Sequence, residues 1–169
     1  THDLDAISFN GAHDGYVAKY GLTHVRKLQL SLDGRELLGE DLLIAIEERH
    51  KKTFDRALEA RKLEGIYIQI KLHLHPEVDA NLDLGGNAVS LALKSGEVWI
   101  FCNHGVAELS VEPSVYLERG RLQPRATKQI VLSRRVMEYG TRTRWSLAKA
   151  QDTALAVRDT LREEVSTIG

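Results

Sequence analysis

The sequence predicts an all-β fold, an antiparallel β-sandwich, followed by a C-terminal α-helix. Three observations predict it. Between Ile66 and His75, Ile66, Ile68, Ile70, Leu72 and Leu74 alternate with Tyr67, Gln69, Lys71, His73 and His75, which is the period of a half-buried strand. Shorter segments of the same kind recur along the chain with turn-forming residues between them, a pattern that favours a sandwich over a parallel α/β fold. After Ala148 the apolar spacing changes to three and four, at Ala154, Val157, Leu161 and Val165, which is a narrow helical stripe. The chain therefore divides into a sandwich over 1–147 and a helical tail over 148–169.

Taken in order, Ala6 to Gly11 is an opening strand. Val25 to Leu32 and Glu36 to Leu43 flank Asp33-Gly34, a pair suited to a tight hairpin because both residues tolerate positive φ. The stretch from Glu47 to Glu64 is heavily charged, with Phe54 and Leu58 four residues apart, and reads as a loop or a short exposed helix. Beyond the strand at Ile66, Asn87 to Leu93 and Val98 to Cys102 flank Lys94-Ser95-Gly96-Glu97, a second hairpin. Ala107 to Val111, Thr127 to Leu132 and Thr141 to Leu147 complete the strands, the last with Thr141, Thr143, Trp145 and Leu147 on one side. No internal repeat or low-complexity tract interrupts this order.

Composition sets further bounds. The 169 residues suit one domain, and a globule of that size buries roughly 70% of the surface of its unfolded chain. With 43% hydrophobic and 28% charged residues the composition is that of a globular protein. A formal net charge of -1 provides no global field for nucleic acid or anionic lipid. Cys102 is the single cysteine, so an intrachain disulfide and a Cys-rich zinc site are excluded. No apolar run approaches the roughly 20 residues that span a bilayer. The chain opens at Thr1 without a signal-peptide pattern or an initiator methionine, so processing, or excision from something longer, is expected.

Seven histidines are the first candidates for chemistry. His73 and His75 share one strand face, roughly 7 Å apart. They could share a metal if a neighbouring strand supplied a third ligand; a polar strand face with Lys71, Gln69 and Tyr67 is the plainer reading. His13, Asp14 and Tyr16 could polarise a uronic acid or move a sugar proton, yet Gly11 and Gly15 equally mark a turn in which Asp14 bonds its own backbone. His24, beside Arg26 and Lys27, reads as a polar rim, and His104-Gly105 as a turn. Arg134-Arg135, with Arg142 and Arg144 on one face of the next strand, could hold carboxylate or sulfate groups through bidentate guanidinium bonds. A solvated face has the same pattern. Gly-rich phosphate loops, nucleophile elbows and His-Glu-x-x-His helices are absent.

Several segments together resemble the C-terminal region of bacterial heparinase II/III-like proteins. They are Ala12-His-Asp-Gly-Tyr16, Gly21-Leu-Thr-His-Val-Arg26, Leu30-Ser-Leu-Asp-Gly-Arg35 and Leu38-Gly-Glu-Asp41, then Ile70-Lys-Leu-His-Leu-His-Pro76, Ser114-Val-Tyr116 and Gln129-Ile-Val-Leu-Ser133. Their order and spacing cover about residue 11 to residue 147, and the charged stretch and the final helix depart from the pattern. The resemblance implies a C-terminal antiparallel sandwich of the super-sandwich type, paired with an N-terminal α/α toroid domain as its partner. It further implies β-elimination of uronic-acid-containing acidic polysaccharide and a periplasmic location, while the net charge and the lack of a long apolar run lead to the expectation of neither a nucleic-acid nor a membrane partner.

In such proteins the Tyr, His and Asn or Arg of the reaction lie mainly in the toroid. A further His, and in some members a zinc site, comes from early sandwich strands, in a motif expected before Thr1. No catalytic residue, cofactor or metal ligand is therefore carried onto this chain. His13, Tyr16, His73 and His75, at matching positions, are candidate substrate-binding residues, and Arg142 and Arg144 join them from the basic set. Three expectations follow: an accessory lyase domain inactive alone, a carbohydrate-binding module, or an assembly module docking through its final helix.

Overall fold

The computed structural model describes residues 6–120 and 123–150. Its elements are β1 (Ala6–Tyr16), α1 (Val17–Tyr20), β2 (Leu22–Ser31), β3 (Glu36–Ile44) and α2 (Glu48–Glu59), then β4 (Ile66–His73), β5 (Asp79–Leu82) and β6 (Ala88–Ala92). The series closes with β7 (Val98–Asn103), β8 (Glu108–Tyr116), β9 (Arg125–Val136) and β10 (Gly140–Lys149). All strand pairs are antiparallel, in a seven-stranded sheet ordered β1-β2-β3-β10-β7-β6-β5 and a three-stranded sheet ordered β4-β9-β8. The sandwich expected from alternation is the architecture observed. The expected terminal helix lies, from residue 151 on, outside the described residues, and Ala148 and Lys149 belong to β10.

The alternation in β4 is the one read from the sequence. Ile66 is buried and Ile68, Ile70 and Leu72 are half-buried, while Tyr67, Gln69, Lys71 and His73 are exposed. Ile70 and Leu72 pack on Ile130, Leu132 and Leu109 of the small sheet and on Val89, Phe101 and Trp145 of the large one, which together form the main core. Burying such side chains stabilises the fold by about 1.5–3 kcal/mol each. Both predicted hairpins form. At Asp33-Gly34 the Ser31 hydroxyl donates to the Asp33 carboxylate at 2.6 Å, and the Arg35 N–H donates to the same oxygen at 3.0 Å.

Of two local expectations, one is settled in favour of a helix and one is corrected. The charged stretch after Glu47 is the twelve-residue helix α2, with Phe54 and Ala57 buried. They join Leu22, Leu43, Ile66 and Val136 in a second core that closes one end of the sandwich. A helix needs only one apolar stripe, so charge on the remaining faces hid it. α1 packs on α2 and ends at Gly21, whose φ of 67° is accessible to glycine and whose missing Cβ leaves room for the His50 carbonyl. Lastly, His13-Asp14 does not form a turn: β1 continues to Tyr16, with a register irregularity between His13 and Tyr16.

Register explains what reaches the inner surface of the large sheet. Directly paired residues share a face, so the rows run Phe9, Leu28, Gly39, Trp145, then Gly11, Arg26, Asp41, Thr143, then His13, His24, Leu43, Thr141. An apolar row thus gives way to two polar ones across four strands. Gly39 is required here because a Cβ would overlap the Trp145 indole lying across β3.

Candidate functional site

The two polar rows open into a cleft of about 360 Å³, between β1, β2 and β3 on one side and β4, an edge strand of the small sheet, on the other. At its floor the Asp41 side chain is 3% exposed. A carboxylate so buried requires donors, and three side chains supply them. The Trp145 Nε1–H donates to Oδ2 at 3.0 Å, the Arg26 Nε–H to Oδ1 at 2.8 Å, and the His24 Nε2 lies 2.7 Å from Oδ1. His24 Nδ1 lies 3.0 Å from Nε2 of His13, whose Nδ1 receives the Gly15 N–H at 3.3 Å. The Tyr16 ring tilts against His13 with centroids 5.1 Å apart. One buried carboxylate therefore orders a linear chain of two imidazoles that reaches the exposed rim.

Charge in the cleft is unbalanced. Its fully charged lining residues are Arg26, Lys71 and Asp41, leaving one positive charge when both histidines are neutral. Asp41 engages Nε of Arg26, so the terminal groups of that guanidinium remain for a ligand. Tyr16 and Tyr67, both about half-exposed, flank the opening as flat apolar surfaces with polar tips. A concave site with a few convergent polar groups on an apolar wall is the usual form of a small-ligand pocket. The donor set does not fit a metal. The His13, His24 and Asp41 atoms meet in sequence, not at a common point, and no three-ligand cluster forms among the described residues.

Of the six side chains proposed from the sequence, only His13 and Tyr16 line this cleft. His73 lies farther along β4 with Nδ1 2.9 Å from the Ser114 hydroxyl of β8, and the His75 ring packs edge-on to Tyr116, 5.0 Å between centroids. They are not brought together with His13. Arg142 and Arg144 point away from the row of Thr141, Thr143 and Trp145. On that opposite face both meet Glu40, with N–O distances of 3.4 Å and 2.9 Å, and the Arg144 hydrogen bond in particular holds the Glu40 carboxyl below its usual range. His104 lies in the connection between β7 and β8, with Nε2 2.7 Å from the Ser146 hydroxyl.

Asp41, His24, Arg26 and Lys71 are the site residues that sequence reasoning missed. One signal was available. Leu37, Gly39, Asp41 and Leu43 share a strand face, and an aspartate inside an otherwise apolar face demands inward-facing donors. His24 and Arg26 stand on one face of the neighbouring strand, but their pairing with Asp41 depends on the hairpin register.

The model of the family described as heparinase II/III-like, C-terminal, matches residues 1–146. The chain belongs to this family. Among curated proteins, this heparinase II/III-like domain is 31% identical over 154 residues to FtsZ-localized protein C of Caulobacter vibrioides, covering 88% of the chain and 24% of that protein. Among solved structures it resembles heparan sulfate lyase HepC from Pedobacter heparinus, with a TM-score of 0.66 and 9% identity over 92% of the chain and 21% of that protein. A structure of heparinase III gives a TM-score of 0.57 and 12% identity, over 93% of the chain and 22% of the other. At these identities the likeness to the lyases is one of fold. The domain spans about a quarter or less of each protein it matches.

Proposed function

We propose that this domain is the C-terminal part of a polysaccharide lyase, where it completes the cleft for a uronic-acid-containing polysaccharide against an α/α toroid elsewhere in the parent protein. The observation that carries the reading is the cleft itself, with a surplus positive charge from Arg26 and Lys71 and two exposed tyrosines at its mouth. Guanidinium and ammonium groups pair with a sugar carboxylate, and tyrosine faces accept the apolar side of a pyranose ring. In β-elimination a base takes the proton on the carbon next to the carboxylate, and the bond to the leaving oxygen breaks to give a carbon–carbon double bond. Neutralising the carboxylate favours that proton loss. Ile7 and Phe9 are more than half-exposed on the inward-facing side of β1, which suits docking of a further domain beside the cleft. Alone, the domain performs no elimination.

The test is a titration of the 169-residue chain with a glucuronate-containing tetrasaccharide, followed by NMR. Shifts centred on His13, Tyr16, Arg26 and Lys71 are expected, with a Kd between about 1 mM and 1 μM, or roughly -4 to -8 kcal/mol. Binding weakens with added salt and is lost in Arg26→Ala. Absence of shifts, or shifts centred on Arg142 and Arg144, overturns the reading.

A second reading is favoured by the 31% identity to FtsZ-localized protein C: the parent protein acts at sites marked by FtsZ. A fluorescent fusion of the intact parent, imaged beside labelled FtsZ, tests it; a diffuse distribution counts against it.

A further inference from the structure

The polar chain beneath the cleft has a direction, and it follows from donors and acceptors alone. The Gly15 backbone can only donate, so Nδ1 of His13 accepts, at 3.3 Å. In the neutral ring the other nitrogen then carries the hydrogen, so Nε2–H of His13 donates to Nδ1 of His24 across 3.0 Å. Nε2–H of His24 in turn donates to Asp41 across 2.7 Å. The opposite assignment would set two N–H groups against each other at Gly15 and offer the carboxylate no hydrogen from His24. Both imidazoles thus have one favoured tautomer, fixed at one end by a backbone amide and at the other by a buried carboxylate.

We infer that Asp41, His24 and His13 form a one-proton relay whose outer terminus, Nδ1 of His13, gives and takes a proton at the cleft. Nδ1 is the acceptor least firmly held, by one long bond from Gly15, on a ring that the solvent reaches. A proton arriving there makes His13 an imidazolium. The Nε2 proton of His13 then passes to Nδ1 of His24, which leaves His13 neutral with its hydrogen on Nδ1. The positive charge now sits on His24, against the Asp41 carboxylate. The bonds made and broken are N–H bonds only, and the reverse sequence returns the proton. Tyr16 of β1, Tyr20 of α1, Arg26 of β2, Asp41 of β3, and Tyr67 and Lys71 of β4 are the other titratable or charged groups lining this cleft. Asp41 is the one carboxylate among the described residues lining the cleft, so the relay leads toward a negative charge. The matching ligand chemistry is a sugar hydroxyl or a carbon acid beside a carboxylate, able to exchange one proton with an imidazole. Only this last step rests on reading the cleft as an acidic-sugar site.

The test therefore uses no sugar. Long-range proton–nitrogen NMR of the full 169-residue chain, labelled at histidine nitrogen, reports which ring nitrogen carries each hydrogen. The expected spectrum shows His13 and His24 both as single Nε2–H tautomers. His13→Leu leaves His24 in its Nε2–H form, because Asp41 still holds it. His24→Leu leaves His13 in its Nε2–H form, because Gly15 still donates to Nδ1, but with that hydrogen released from its ring acceptor and exchanging faster with solvent. Unchanged backbone shifts in β8, far from the cleft, show that each variant is folded, and Tyr67→Phe serves as a cleft variant that leaves both tautomers in place. Finding either ring as its Nδ1–H tautomer overturns the relay. Failure of sugar binding with the tautomers as stated would instead remove the ligand reading and leave the relay standing.

Discussion

Replacing Asp41 with alanine isolates the group on which the site is built. Its side chain accepts from Trp145, His24 and Arg26. His24 and Arg26 side chains are 20% and 34% exposed, so in the variant both can turn partly toward water. Trp145 is 4% exposed, and its ring is held in the main core, so its N–H is left without an acceptor. An orphaned buried donor costs about 1–3 kcal/mol, and each bond lost to the charged acceptor costs up to about 1.5–3 kcal/mol before rehydration. Relief of the carboxylate's desolvation offsets part of this. The expected net loss is about 3 kcal/mol, which for a domain of this size lowers Tm by roughly 6–12 °C. Urea unfolding followed by tryptophan fluorescence measures it, with Trp145→Phe and the double variant closing a cycle. Trp145→Phe should cost at least about 1 kcal/mol less in the Asp41→Ala background than in the wild type. A change within about 0.5 kcal/mol for Asp41→Ala, the range of an ordinary surface substitution, would refute the argument that this carboxylate anchors the site.

Three further outcomes follow from the same geometry. Gly39→Ala drives a methyl group into the Trp145 indole and costs at least about 1–3 kcal/mol as overpacking; thermal unfolding reports it, together with loss of the slow exchange expected for the Trp145 Nε1 hydrogen. Phe54→Ala empties the second core, where Phe54 is 1% exposed, and costs about 3–5 kcal/mol by urea unfolding; a loss below about 1 kcal/mol would mean that α2 is dispensable. Arg144→Gln removes the leading cause of the lowered Glu40 pKa. A carboxyl lowered on folding contributes stability above its unfolded pKa and loses it as pH falls through the folded value. The variant is thus less stable at neutral pH by under about 1 kcal/mol, and the difference disappears in acid, as urea midpoints across pH will show.

Much of the architecture was legible because it rests on local signals. Alternation in Ile66–Leu74 names the inward face of β4 without any knowledge of its neighbours, and Asp33-Gly34 marks its hairpin through turn chemistry alone. α2 was obscured because its apolar stripe, centred on Phe54 and Ala57, sits among charges that also suit a loop. The site was harder to read for a different reason. Asp41 meets His24, Arg26 and Trp145 through register, at separations of 17, 15 and 104 residues, and a one-residue slip would send them to opposite faces. Arg142 and Arg144 were correctly placed on one strand face, but which face fronts the cleft is decided by the pairing of β10 with β3. His13 and Tyr16 reach the cleft because the motif that names them lies on one strand that lines it.

The measurement that tests the central claim most directly is an elimination assay on the intact parent protein, its Arg26→Ala variant and this 169-residue chain, each with a uronic-acid-containing polysaccharide. Unsaturated uronate is expected from the parent, with a large loss of that product in Arg26→Ala and none from the chain alone. Product from the isolated chain, or an Arg26→Ala parent as active as the wild type, would contradict that claim.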